Sequence, residues 1–447
     1  MRLQRKLIIV ALASAMPWVS AQAQSAADLQ KEIAALKAQL QSLQQKVDAI
    51  SAAPPSTNIS QQVTRLEQKM ELVADEQEKS GFKGVKINGV IEASYKTNDL
   101  DRNNAFSSSG GFADEFAMLQ ITKESQDGEG VDWTLRLLPG SSTYNHVHEA
   151  SVSIPINKEN RIIGGMIPDF QGYEFYFANA NATLGNQLLT HNALFDLTGA
   201  TSYKGLGMAH TFNNGTYALK WIVGNVDAGA DNVNSNPTTF APTAVAASNT
   251  NSVALAYRAD WFINEFSYVG LSGLHGSVNR NFTVMSIDGG YTHGDWALNG
   301  QLSWGSQRNA ATTGEDARWA GVSGLMGYKV TPRLQLLARV DFIDNRTNGG
   351  GTYAYNGSSG SDYASGYNFG LGQELDSTGA PALDAEGKPV GANLTRVSLG
   401  TNYQVNANTQ WKVEYRLDQS TGNNFRDIDG NFKQNKNTLG TSVVLSF

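Results

Sequence analysis

Thr409-Gln-Trp-Lys-Val-Glu-Tyr-Arg-Leu-Asp418 alternates without a fault. Trp411, Val413, Tyr415 and Leu417 fall on one side of an extended chain. Gln410, Lys412, Glu414, Arg416 and Asp418 fall on the other, because successive side chains of a strand point to opposite faces. A helix would scatter both sets around its axis. The segment predicts a strand of about ten residues with one apolar face and one charged face.

The same period runs through Leu334, Leu336, Ala338, Val340 and Phe342 against Arg333, Gln335, Arg339 and Asp341. It returns at Val85, Ile87, Ile91, Ala93 and Tyr95 against Lys86, Asn88, Glu92, Ser94 and Lys96. Followed from Gly81 to Phe447, it predicts about 16 strands, within bounds of roughly 14 to 18. A soluble sandwich can hold amphipathic strands too, but its connections would be short at both ends. Here the connections alternate. After even-numbered strands they are short: 126–130, 157–159, 213–215, Asn264, Gly294, 331–332 and 406–407. After several odd-numbered strands they are long: 98–113, 168–198, 227–250, 346–392 and 422–435. Short turns on one rim and long loops on the other mark a single-chain transmembrane barrel. The expected fold is all-β, one closed antiparallel transmembrane β-barrel over 81–447 with an N-terminal α-helical coiled coil.

Composition agrees. Of 447 residues only 40% are hydrophobic, yet there are 8 Trp, 16 Tyr and 18 Phe among 45 Gly. A wall that is apolar outside and polar inside averages to this mixture. Trp and Tyr near strand ends on the apolar face (Tyr95, Trp133, Tyr217, Tyr257, Trp261, Trp296, Trp304, Trp411 and Tyr415) suit interfacial girdles. The absence of cysteine excludes disulfides and thiolate-held metals. A formal charge of −7 argues against nucleic acid as a partner.

Before the strands lies a different pattern. Arg2, Arg5 and Lys6 precede an apolar run to Val19, and Ala21-Gln22-Ala23 is a small-x-small cleavage site, so residues 1–23 are expected to be a signal peptide. Leu29, Ile33, Leu36, Leu40, Leu43, Val47 and Ile50 then step by fours and threes, a heptad seam. Pro54 and Pro55 interrupt it, and Ile59, Val63, Leu66, Met70 and Val73 resume it. Residues 24–80 are thus expected to be a periplasmic coiled coil with a hinge at 54–55. The seam serves self-association, with a trimer as the best fit, or packing on the chain's own barrel.

The chain closes with Gly440 and the alternating Val443, Leu445 and Phe447, which look like the C-terminal signal read by the barrel-assembly machinery of the outer membrane. Gly164-Gly-Met-Ile-Pro168-Asp-Phe-Gln-Gly172-Tyr173-Glu174, followed by Phe195-Asp-Leu-Thr198-Gly199, resembles the OmpL-like porins. The layout of signal, coiled coil and barrel is similar, more loosely, to phosphate-selective porins, without their ladder of basic residues. The resemblance implies a Gram-negative outer-membrane porin passing small hydrophilic solutes or ions, embedded in outer-membrane lipid, with no cofactor. The alternative is a structural barrel tied to peptidoglycan by its coiled coil.

On the polar face the period places the bases Lys86, Arg136, Lys220, Arg258, Arg339, Arg396, Lys412 and Arg416, and the acids Glu92, Asp132, Asp260, Asp341, Glu414 and Asp418. Mixed signs predict modest ion preference. The third external loop, 168–198, carries Asp169, Tyr173, Glu174, Tyr176 and Asp196. By likeness to general porins it would fold inward, its acids facing wall bases across the pore in a transverse field. No catalytic or metal site is expected. His146 and His148 read as solvated histidines at an external turn, and His210 and His293 have no serine marked as partner. Asp427-Ile-Asp429-Gly430 and the Asp384 region read as hairpin turns, since neither has calcium-loop spacing.

Overall fold

The computed structural model describes residues 84–100, 105–107, 117–125, 130–138, 147–174, 187–198, 202–227, 233–235, 242–244, 253–278, 280–351, 369–427 and 429–447. The expected signal peptide and coiled coil, the hinge between its two runs, and Tyr176 lie outside the described residues.

Sixteen of the described strands form one ring. They are β1 (Val85–Asn98), β2 (Ala117–Lys123), β3 (Asp132–Leu137), β4 (Val147–Pro155) and β5 (Asn160–Pro168). Next come β6 (Ser202–Phe212), β7 (Tyr217–Asp227), β8 (Val253–Asn264), β9 (Ser267–Val278), β10 (Arg280–His293) and β11 (Trp296–Gln307). The last are β12 (Ala317–Lys329), β13 (Leu334–Asp344), β14 (Leu394–Asn406), β15 (Thr409–Ser420) and β16 (Asn435–Ser446). Each pairs antiparallel with the next, and β16 returns to β1 over Val90↔Ser446 to Asn98↔Thr438. The short strand Ala105–Ser107 adds to the end of β1. Closure leaves the ring no unpaired edge.

One rim is built of tight turns. Asn213, Asn214 and Gly215 all take positive φ between β6 and β7. Asn and Gly pay least for that conformation, so this short link forms where most residues would not. The other rim carries the long connections, where Asp384 accepts from the amides of Glu386 and Lys388 at 3.0 and 2.8 Å, and Asp427 from that of Asn431 at 2.8 Å. Both aspartates close hairpin turns, as their sequence suggests.

Packing is inverted relative to a soluble protein. Leu206 is 68% exposed on the outside, and Ile87, Val340, Leu302 and Leu399 are exposed like it. Arg339, Asp341, Ser398 and Lys412 are buried inside. In water, each large apolar side chain left outside forfeits about 1.5–3 kcal/mol. Near the short-turn rim the outer face becomes aromatic. Tyr217 stacks on Trp261 with centroids 6.3 Å apart, Trp296 meets Tyr328 at 4.6 Å, and Phe266 meets His293 edge-on at 4.2 Å.

One residue departs from expectation. The register of β3 and β4 shifts between Arg136 and Leu137, which leaves His148 as the extra residue of a bulge. His148 is therefore buried, not solvated as its place near a turn suggested; His146 lies outside the described residues.

Candidate functional site on the inner wall

The connection between β5 and β6 is described in two pieces, 169–174 and 187–198, and between them they lie against inward-facing residues of β6 to β16. The second ends in a short helix, α1 (Ala193–Thr198). Asn192 starts it by accepting from the Phe195 amide at 2.7 Å, the usual capping arrangement.

Three wall arginines hold these pieces. Arg339 of β13 donates from Nη1 to Glu174 Oε1 and to the Thr190 carbonyl, both at 2.8 Å, and from Nη2 to the His191 carbonyl at 2.7 Å. Arg396 of β14 donates to Asp196, to Asp418 and, at 3.0 Å, to the His191 carbonyl. Arg258 of β8 reaches the Gly172 carbonyl at 3.0 Å while forked onto Asp288 at 2.9 Å. Wall acids contribute too. Glu414 of β15 accepts from the Thr190 amide at 2.8 Å and its hydroxyl at 2.6 Å, and Asp341 accepts from the Ala193 amide at 3.0 Å. Each guanidinium satisfies backbone carbonyls and carboxylates together, which is what makes burying it tolerable.

Apolar contacts complete the docking. Leu188 packs over Gly400, Leu189 over Gly440 and Leu194 over Gly321. A methyl at Gly400 would overlap Leu188, and one at Gly440 would lie 3.1 Å from Leu189. Phe170, Leu194 and Leu197 also join inward-facing Ile222, Leu274, Trp319, Ile343 and Leu394 in a buried cluster with Phe369, Leu371 and Phe425 of later loops. This apolar inner patch was not anticipated. Its sequence signal is apolar residues on both faces of a strand beside a long loop, as at Ile222-Val223 and Phe342-Ile343. Substituting Gly400 by Val is expected to lift residues 187–198 from the wall. Limited proteolysis of detergent-extracted protein should then cut within this segment at least about tenfold faster, since even 1.4 kcal/mol of lost docking gives that factor.

A family model described as a protein of unknown function, DUF3138, matches residues 117–447. The chain belongs to that family. The matched span takes in β2 to β16 of this DUF3138 protein, and with them every docking contact above. No curated protein matches the sequence. Among solved structures, the chain is similar to OmpT, an outer membrane protein of Vibrio cholerae in its trimer form, at 11% identity and a TM-score of 0.49, covering 81% of this chain and 99% of that one. It is similar to an anion-selective porin from Comamonas acidovorans at 11% identity and 0.49, with the same coverage. It is similar to the outer membrane channel DcaP of Acinetobacter baumannii at 11% and 0.48, covering 81% and 97%.

The DUF3138 ring disposes the remaining sequence-marked residues as follows. Lys86 is exposed at the short-turn rim, 2.6 Å from Glu124. Arg136 pairs with Glu149 at 3.3 Å, and Arg416 with Asp418 at 3.0 Å. Lys220 lies 4.3 Å over the Phe170 ring, and Lys412 is buried. Asp169 accepts from the Tyr203 hydroxyl, away from the Arg339 cluster. Tyr173 shares a 2.6 Å hydrogen bond with Ser323. Val443 and Leu445 face outward, and the Phe447 ring covers Gly89. Glu174 and Asp196 touch the wall guanidinium groups directly, so at these two positions the expected field across a gap becomes a closed ion pair.

Burial dominates the electrostatics of the docked pieces. It pushes the Glu174 carboxyl up to about 7, although the Arg339 charge and the Asn192 amide pull it down. Burial also raises Asp196 against the pull of Arg396 and Arg416.

Proposed function

We propose that this chain is an outer-membrane porin, a passive channel for small hydrophilic solutes, narrowed by its third external loop. The observation that carries the reading is the inversion of polarity around a closed ring. Apolar and aromatic side chains cover the outside, charged ones the inside, and strands of 11 to 14 residues over most of the circumference suit a bilayer. The docking of 169–174 and 187–198 supports the narrowing, because these segments occupy lumen beside β6 to β16. The heptads of 24–80 would hold copies of the chain together as a trimer in the periplasm, and the closing Phe447 would serve recognition by the assembly machinery.

Planar-bilayer recording on the detergent-extracted full chain tests this. Stepwise ohmic conductance is expected. A purified, lipid-inserted barrel that passes no current would end the channel reading.

The chemistry of the docked loop adds a pH dependence. Glu174 holds a proton up to about pH 7 when docked, against an ordinary 4.5 when free in water. A raised carboxyl favours the docked form fully below the free value, and that advantage is lost as pH rises through the docked value. The change is about 1.4 kcal/mol per pH unit at most. Excursions to higher conductance should therefore be more frequent at pH 8 than at pH 5. Glu174→Gln should flatten this dependence, and an unchanged slope in that variant would count against the assignment.

A further inference from the structure

We infer that ion selectivity is set by two water-facing ion pairs on the β3–β5 wall, Arg136–Glu149 and Arg161–Asp132, and not by the acids of the docked loop. The inference rests on the channel reading above.

Charges inside the ring range from dry to wet, with Arg258 at 10% and Asp260 at 16% between the extremes. Where the loop docks, side chains are dry: Arg339 is 0% and Glu174 4% exposed, Arg396 2% and Asp196 6%. On the wall of β3 to β5 they stay wet: Arg136 is 22% and Glu149 13% exposed, Arg161 20% and Asp132 33%. A permeating solute exchanges its hydration only with groups that water still reaches. A dry pair closed at contact also presents little net field to the lumen, whereas a wet pair acts on what passes.

These pairs form two levels. Arg161 and Asp132, 2.6 Å apart, stand at the short-turn rim, and Arg161 also donates to the Ser153 hydroxyl at 2.7 Å and to the Gly130 carbonyl at 3.1 Å. Arg136 stands four residues further along β3, roughly 13 Å by strand rise. There it donates to Gln120 at 2.7 Å and lies 3.3 Å from Glu149, which accepts from the Ser151 hydroxyl at 2.7 Å. Each level offers a cation, an anion and a neutral polar group side by side, and the formal charges cancel. Such a wall matches small solutes that carry donors and acceptors together, whether neutral polyols or zwitterions, over ions of a single sign. Lys86 and Glu124 lie at the same rim but are 62% and 63% exposed, so salt screens them far more than the partly covered Arg161 and Asp132.

The test is the reversal potential of the full-length protein in a planar bilayer under a potassium chloride gradient. Wild type should reverse near zero. Asp132→Asn with Glu149→Gln should turn the channel anion-preferring, and Arg136→Gln with Arg161→Gln cation-preferring, each by roughly fivefold in permeability ratio. Conducting variants that keep the wild-type reversal potential, or that both shift the same way, overturn the inference and leave the channel intact. No wild-type conductance removes the channel reading itself. Liposome swelling with the unmodified protein is a second measurement that needs no variant to fold. Glycine and glycerol should enter faster than acetate or methylammonium, and the reverse order overturns the proposal.

Discussion

Arg339→Met is expected to open the channel wider and make it noisy while the ring itself survives. The guanidinium reaches Glu174, Thr190, His191 and Asp341 from one buried point, and the methionine would meet none of these needs. Asp341 would be left as a buried carboxylate without its cation, and above about pH 7 Glu174 with it. Breaking a buried pair by removing one partner costs about 3–5 kcal/mol, more than a docked loop of this size can be expected to hold in reserve. The ring is kept by backbone ladders that the substitution does not touch. Single-channel recording should show larger, fluctuating conductance, and the melting of the barrel, followed by its β-sheet circular dichroism, should move far less. Adding Glu174→Gln removes one stranded carboxylate and should restore part of the wild-type behaviour. Quiet, unchanged conductance in the single variant would show that Arg339 does not hold the loop.

The second large effect is expected one residue along the strand. Val340 points outward from the middle of β13, 55% exposed and paired with Gly324 and Val397. In a bilayer, Val340→Arg places a cation in hydrocarbon and should cost about 2–4 kcal/mol, which a urea titration in lipid vesicles would read. In water the same exposed position would tolerate arginine within about 0.5 kcal/mol. The result separates a membrane-embedded ring from a soluble one with no reference to transport. A neutral outcome would contradict the lipid-facing assignment of the outer wall.

Sequence and structure agree where the physics is local. The strand period, the switch from short to long connections and the even count each depend on residues close together in the chain, so Thr409–Ser420 and Leu334–Asp344 are legible from their own letters. The docked loop is not. Glu174 meets Arg339 and Asp196 meets Arg396 across most of the ring, and no local pattern says which loop acid meets which wall base. Both acids and both arginines are marked by the sequence; their contact is not. Gly321 and Gly400 carry even less signal, since a glycine facing inward in a strand looks like any other until the leucine above it is known. The burial of His148 is not legible in the sequence, because a bulge leaves no trace in alternation.

The closing seam has a consequence for how the protein is made. β1 finds its partner on one flank only in β16, with Gly89 and Phe447 exchanging backbone hydrogen bonds of 2.9 and 3.0 Å where the seam ends. Until β16 has been synthesised and delivered, β1 offers a bare edge along most of its length, and the growing sheet has sticky margins on both sides. Such a chain gains nothing from folding as it emerges. It is expected to stay extended and guarded until its last strand is present, and then to close as a whole.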